Sequence, residues 1–132
     1  MKKLTSALAA ATVVLGVALG AGTALAAPQV QFIATEAGTV MADAKGMVLY
    51  TWDRDMPGVS TCAGTCLTNW PLFKAAATDT AGGDWTIITR PDGDKVWAYK
   101  GKALYYYVMD TAARDAKGNN PTGVWHVITQ GM

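Results

Sequence analysis

The chain has 132 residues, with eleven lysines and arginines, ten aspartates and glutamates and one histidine, for a formal charge of +1. A balance this close to neutral offers no electrostatic footprint for nucleic acid and no polybasic patch for an anionic membrane, so neither is expected as a partner. In chain order, Met1-Lys2-Lys3 is a positive leader, Leu4 to Leu19 an apolar run, and Ala24-Leu25-Ala26 a small-x-small cleavage site, which together predict an export signal over residues 1–26. The apolar run is shorter than the roughly 20 residues a membrane span requires. No cysteine lies near the cut, so no lipid anchor is expected after processing. Removing the signal leaves 106 residues, enough for one domain with one core.

Val30 to Ile33, Val40 to Ala42 and Met47 to Trp52 read as short strands, divided by turns at Glu36-Ala37-Gly38 and Ala44-Lys45-Gly46. Trp85 to Ile88, Val96 to Tyr99 and Lys102 to Val108 repeat the pattern around Pro91-Asp92-Gly93-Asp94 and Lys100-Gly101. A gapless offset of 55 pairs Ile33 with Ile88, Gly38 with Gly93, Lys45 with Lys100, Gly46 with Gly101, Leu49 with Leu104, Asp55 with Asp110 and Trp70 with Trp125. The matches fall on turn glycines, strand positions and the aspartate beyond the strand, as expected of an internal duplication. Each repeat (about 31–77 and 86–132) is read as a three-stranded meander with an irregular return, and Val124 to Thr129 as a closing strand. Neither meander covers both its faces alone. The fold expected is therefore mainly β, two tandem repeats packed as a small pseudo-twofold sandwich or open barrel. Ala75 to Gly83 is the connector, and 110–123 a long Gly- and Asn-rich loop, a type that is usually functional or mobile.

Strand alternation puts Tyr50 and Trp52 on one face, and Tyr105 and Tyr107 likewise in the second copy. Asp55 and Asp110 follow the strands, where a carboxylate can cap a turn. These residues, with Trp70 and Trp125, are aromatic core plus turn cap on one reading. On the other they are a stacking platform for a planar or sugar ligand, with the aspartates as acceptors. Tyr50-x-Trp52-x-x-Asp55 and Tyr105-x-Tyr107-x-x-Asp110, together with Cys62-x-x-x-Cys66, Trp70-Pro71 and Gly123-Val124-Trp125-His126, resemble the bacterial secreted-repeat family, whose members are often labelled lipoproteins with a Tyr-x-aromatic-x-x-Asp motif. The resemblance implies an envelope protein, periplasmic or secreted. It implies no catalytic residue, since that family is described as of unknown function. The lipidation cysteine is missing here.

Two cysteines four apart in an exported chain predict a Cys62–Cys66 disulfide. The five-residue loop it closes is worth only about 2 kcal/mol by chain entropy. Thioredoxin-type and c-type haem sites both need two intervening residues, and three are present. A soft-metal site for copper would draw on the thiols, His126 and methionines such as Met109. His126 alternates with Trp125 and Val127 and is expected to be exposed and unpaired. Asp53 with Asp55, and Asp92 with Asp94, could pair as carboxylates, but aspartates flanking turns read as solvated caps. With one histidine and no nucleophile motif, no enzyme and no cofactor are expected. The sequence thus points to a non-catalytic extracytoplasmic module that binds an unknown envelope component or small ligand or serves a structural role. Copper or redox handling is the alternative.

Overall fold

The computed structural model describes residues 26–131, so the expected export signal lies, but for Ala26, outside the described residues. The order is β1 (Val30–Thr35), β2 (Gly38–Asp43), β3 (Tyr50–Trp52), α1 (Thr65–Asn69), β4 (Trp85–Thr89), β5 (Lys95–Tyr99), β6 (Lys102–Ala103) and β7 (Trp125–Val127). β1 and β2 form an antiparallel hairpin with Ile33 opposite Val40, and β4 and β5 another with Ile88 opposite Val96. The tight first turn requires the left-handed backbone of Gly38 (φ 100°) and is fixed by the Thr35 Oγ1, which accepts from the Ala37 N–H at 3.0 Å.

Two expectations need correction. The offset of 55 is not gapless in space. Buried Val40-Met41-Ala42 corresponds to buried Val96-Trp97-Ala98, an offset of 56. The second hairpin turn carries one extra residue, and the next turn loses one: the Asp43 N–H reaches the Met47 carbonyl, whereas Tyr99 pairs directly with Lys102. An insertion followed so soon by a deletion leaves every later residue in register, which is why the sequence conceals it.

The third strand of each meander also behaves differently from a simple meander strand. It leaves its own hairpin after a short pairing whose last bond is Leu49 N–H to the Met41 carbonyl or Leu104 N–H to the Trp97 carbonyl, each 3.0 Å. It then pairs with the closing segment of the other repeat. β3 joins β7, with Tyr50 opposite Val127, and the Tyr105 strand joins the segment after Trp70, with Tyr105 opposite Leu72. That segment continues along β5, where the Trp97 N–H donates to Phe73 and the Ala75 N–H to Lys95, while the Met41 N–H donates to Ile128. The two repeats have therefore exchanged their closing strands. Tyr50 and Tyr105 face each other on the pseudo-twofold axis through reciprocal backbone bonds of 2.8 and 2.9 Å.

The core follows this symmetry. Its central cluster consists of three equivalent pairs, Met41 with Trp97, Leu49 with Leu104 and Phe73 with Ile128. Both leucines are fully buried, each contributing roughly 1.5–3 kcal/mol of transfer free energy. One flanking cluster surrounds Val40, Val48, Tyr50 and Val127, the other Val96, Ala103, Tyr105 and Leu72. The return to Trp70 contains a single helical turn, α1, unanticipated from the sequence. Five residues are too few to be helical alone. The Cys62–Cys66 disulfide (Cα–Cα 5.4 Å) closes across its start, and Cys62 is fully buried in the second flanking cluster. The bridge thus anchors the return to the core as well as pinning a loop.

Candidate functional site

The duplicated motif converges on the axis. Tyr50, at the start of β3, donates its hydroxyl to Asp110 Oδ2 at 2.5 Å, and Tyr105 donates to Asp55 Oδ2 at 2.6 Å. Each tyrosine therefore bonds the aspartate of the other repeat. All four residues are buried, the tyrosines completely and the aspartates to 6 % exposure. The expectation that Asp55 is a solvated cap is corrected on this point: it is enclosed. Its Oδ1 still performs the capping role, accepting the Thr61 N–H and the Thr61 hydroxyl, each at 2.8 Å. Asp110 Oδ1 likewise accepts the Lys117 N–H at 2.8 Å, so that the long loop 110–123 wraps its own aspartate.

Each phenol also receives a bond. The Gly118 N–H donates to the Tyr50 oxygen at 3.1 Å. A side chain at Gly118 would stand 2.7 Å from the Trp70 ring and 2.9 Å from Tyr107, so only glycine admits this approach. Because Tyr105 gives its proton to Asp55, it accepts from Ser60 at 2.7 Å, and Ser60 in turn accepts from Arg90 Nη1 at 2.7 Å. Arg90 is buried, and its outer edge meets Asp92 at 3.0 Å. This arginine was missed in the sequence, where Arg-Pro-Asp-Gly reads only as a turn. Burial, then the hydrogen bonds to carboxylates, raise the Tyr50 and Tyr105 phenols far above their ordinary value. Burial also raises Asp110 above the usual carboxylate range, against the opposing bonds from Tyr50 and Lys117.

The remaining motif aromatics form a ladder beside this polar lock. Trp52 stacks on Trp125 (5.2 Å), Trp125 on Trp70 (3.8 Å, 4°) and Trp70 on Tyr107 (4.3 Å). Tyr50 and Tyr105 meet the central rings edge-on at 5.3 Å. The structure therefore brings all eight candidate residues together, Tyr50, Trp52, Asp55, Trp70, Tyr105, Tyr107, Asp110 and Trp125, with four of their rings stacked and the two lock tyrosines edge-on to them.

His126 departs from expectation. It is half-buried, and its Nε2 lies 2.8 Å from Asp53 Oδ2. The register explains this: β7 sets His126 opposite Thr51, two residues before Asp53. Met109 is 57 % exposed and does not line the cleft beside His126. The cysteine thiols are joined to each other. Among the described residues no group of three or more His, Cys, Asp or Glu could hold a metal ion, and no helix is long and apolar enough to cross a membrane.

A family profile described as "Secreted repeat of unknown function" matches residues 31–74 and again 86–129. The chain belongs to this family. Both matches coincide with the repeats that exchange strands, and each includes one tyrosine and one aspartate of the lock and two rings of the ladder. The family is one of secreted repeats, which supports an extracytoplasmic location. No curated protein and no solved structure matches the chain.

Proposed function

We propose that the chain is a non-catalytic module of the bacterial envelope, periplasmic or secreted, that binds a small ligand or envelope component on a scaffold built by its duplicated motif. One observation supports this most: the motif's polar atoms and ring faces engage each other across the repeats, which suits a scaffold better than a reacting centre. On this reading Tyr50, Asp55, Tyr105, Asp110 and the ladder of Trp52, Trp125, Trp70 and Tyr107 hold the two halves together, and ligands contact other surfaces. The soft-metal alternative loses its two strongest ligands to the disulfide, and His126 Nε2 is already paired with Asp53.

The test is Asp55→Ala and Asp110→Ala in the processed, oxidised chain, measured for stability and for retention on isolated envelope material. Both variants are expected to lose stability, with binding lost only in proportion to unfolding. Full stability with loss of binding would instead make the aspartates ligand contacts.

A further inference from the structure

The pseudo-twofold axis relates two grooves beside the closing strands, and they differ at three equivalent positions. In one groove Tyr106 lies edge-on against Phe73 at 5.7 Å and donates its hydroxyl to Asp43 at 2.8 Å. The symmetry equivalent of Tyr106 is Thr51, of Phe73 is Ile128, and of Asp43 is Tyr99. With threonine in place of tyrosine, the second groove has no counterpart of the Tyr106 ring at its centre. A cleft of ≈ 280 Å³ occupies it, lined by Thr51, Tyr99, Lys100, Lys102, His126 and Ile128. The fold thus carries its own template for what the cleft accommodates, namely one six-membered ring with a polar substituent. The volume is at the small end for ligand pockets and suits a single ring.

The lining supplies charge as well as shape. Lys100 and Lys102 bring two positive charges to the cleft, and its one carboxylate, Asp53, is paired with His126. In the filled groove the ring's polar end meets the carboxylate of Asp43. Here the corresponding residue is Tyr99, which carries no acid, and the neighbouring cations favour an anionic substituent.

We propose that this cleft is a binding site for a single-ring aromatic anion of the size and polarity of a hydroxybenzoate. The proposal rests on the reading of the chain as a non-catalytic binding module, and gives that module a ligand class. Ile128 and Val127 form the apolar floor, the His126 ring forms a wall fixed by Asp53, Lys100 lies over the Tyr99 ring at 5.3 Å, and Lys102 meets the anionic group.

The experiment titrates the ¹⁵N-labelled, processed, oxidised chain with 4-hydroxybenzoate. Saturable amide shifts are expected at Thr51, Lys100 to Lys102 and His126 to Ile128. The neutral 4-hydroxybenzyl alcohol is expected to bind more weakly than the acid. Thr51→Tyr, which places in the cleft the phenol its mate already holds, is expected to abolish the shifts. Lys102→Glu, at an exposed position, is expected to weaken binding about threefold to fivefold, the scale of one exposed charge pair. Should Thr51→Tyr fail to fold, the location of the shifts and Lys102→Glu decide the matter. Shifts elsewhere, no saturation, or an affinity indifferent to Lys102→Glu would overturn the site. The probe is also recovered and its mass measured. An unchanged probe that does not bind refutes the ligand class alone, whereas a converted probe refutes the non-catalytic reading.

Discussion

The crossed pairing of tyrosine and aspartate makes a prediction that a parallel arrangement would not. Asp55→Ala removes the acceptor for the Tyr105 hydroxyl, the Thr61 N–H and the Thr61 hydroxyl at a site 6 % exposed. The buried Tyr105 hydroxyl left unsatisfied costs about 1–3 kcal/mol and the loss of the cap on exposed Thr61 about 1 kcal/mol, so the total should reach about 2–4 kcal/mol, above the ~1 kcal/mol of an exposed cap alone. Tyr105→Phe removes the bond to Asp55, worth about 1.5–3 kcal/mol, and with it the acceptor of the Ser60 hydroxyl. In the double variant that bond cannot be lost twice, so the cycle should show a coupling of about 1.5–2 kcal/mol. The same holds for Tyr50 with Asp110. Tyr50 with Asp55, in one repeat, share no hydrogen-bond partner, and their effects should add to within about 0.5 kcal/mol. Urea unfolding of the oxidised chain measures all three cycles, with Asp→Asn variants where the alanine variants are too unstable. Coupling within a repeat as large as that between repeats would refute the crossed arrangement.

Further outcomes follow from the same geometry. Thiol labelling of the oxidised, unfolded chain should find neither Cys62 nor Cys66 free, and reduction should cost about 2 kcal/mol or more, since Cys62 is a core residue. The Tyr50, Tyr105 and Tyr106 phenols are raised by burial and then by their carboxylate partners. The folded chain therefore keeps protons that the unfolded chain releases above pH about 10, and stability present below that pH declines as it rises further. Absorbance at 295 nm should show these phenols titrating only with unfolding, and Tyr106→Phe should flatten the alkaline decline. Three phenols titrating reversibly in the folded chain would contradict their burial. In competition with a Cu(I) chelator the oxidised chain should bind no tighter than micromolar, because no thiolate remains. Tight binding that disappears in His126→Ala or Met109→Ala would restore the metal reading.

The duplication, the strand positions, the turns and the disulfide were legible because each rests on local chemistry: alternation, glycine at a turn, cysteine spacing. The motif residues could also be picked out. Their pairing could not. Tyr50 and Asp55 are close in sequence, and nothing local indicates that Tyr50 bonds Asp110, 60 residues away. That depends on the exchange of closing strands, a choice between two ways of packing equivalent segments that share one sequence pattern. For the same reason His126 read as solvent-facing: alternation fixes its face, but only the β3–β7 register brings Asp53 to it. Arg90 was hidden because its partner Ser60 comes from the other repeat, 30 residues away, and reaches Tyr105 only in the folded chain.

The central claim is that neither repeat completes its own sheet, since each lends its closing strand and its aspartate to the other. The most direct measurement is therefore the state of residues 27–77 and 84–132 expressed separately, by sedimentation and amide NMR. Each segment alone is expected to be unfolded as a monomer, with dispersed spectra appearing only on mixing the two or on self-association that supplies the missing strand. A single repeat that is both monomeric and folded would contradict the account.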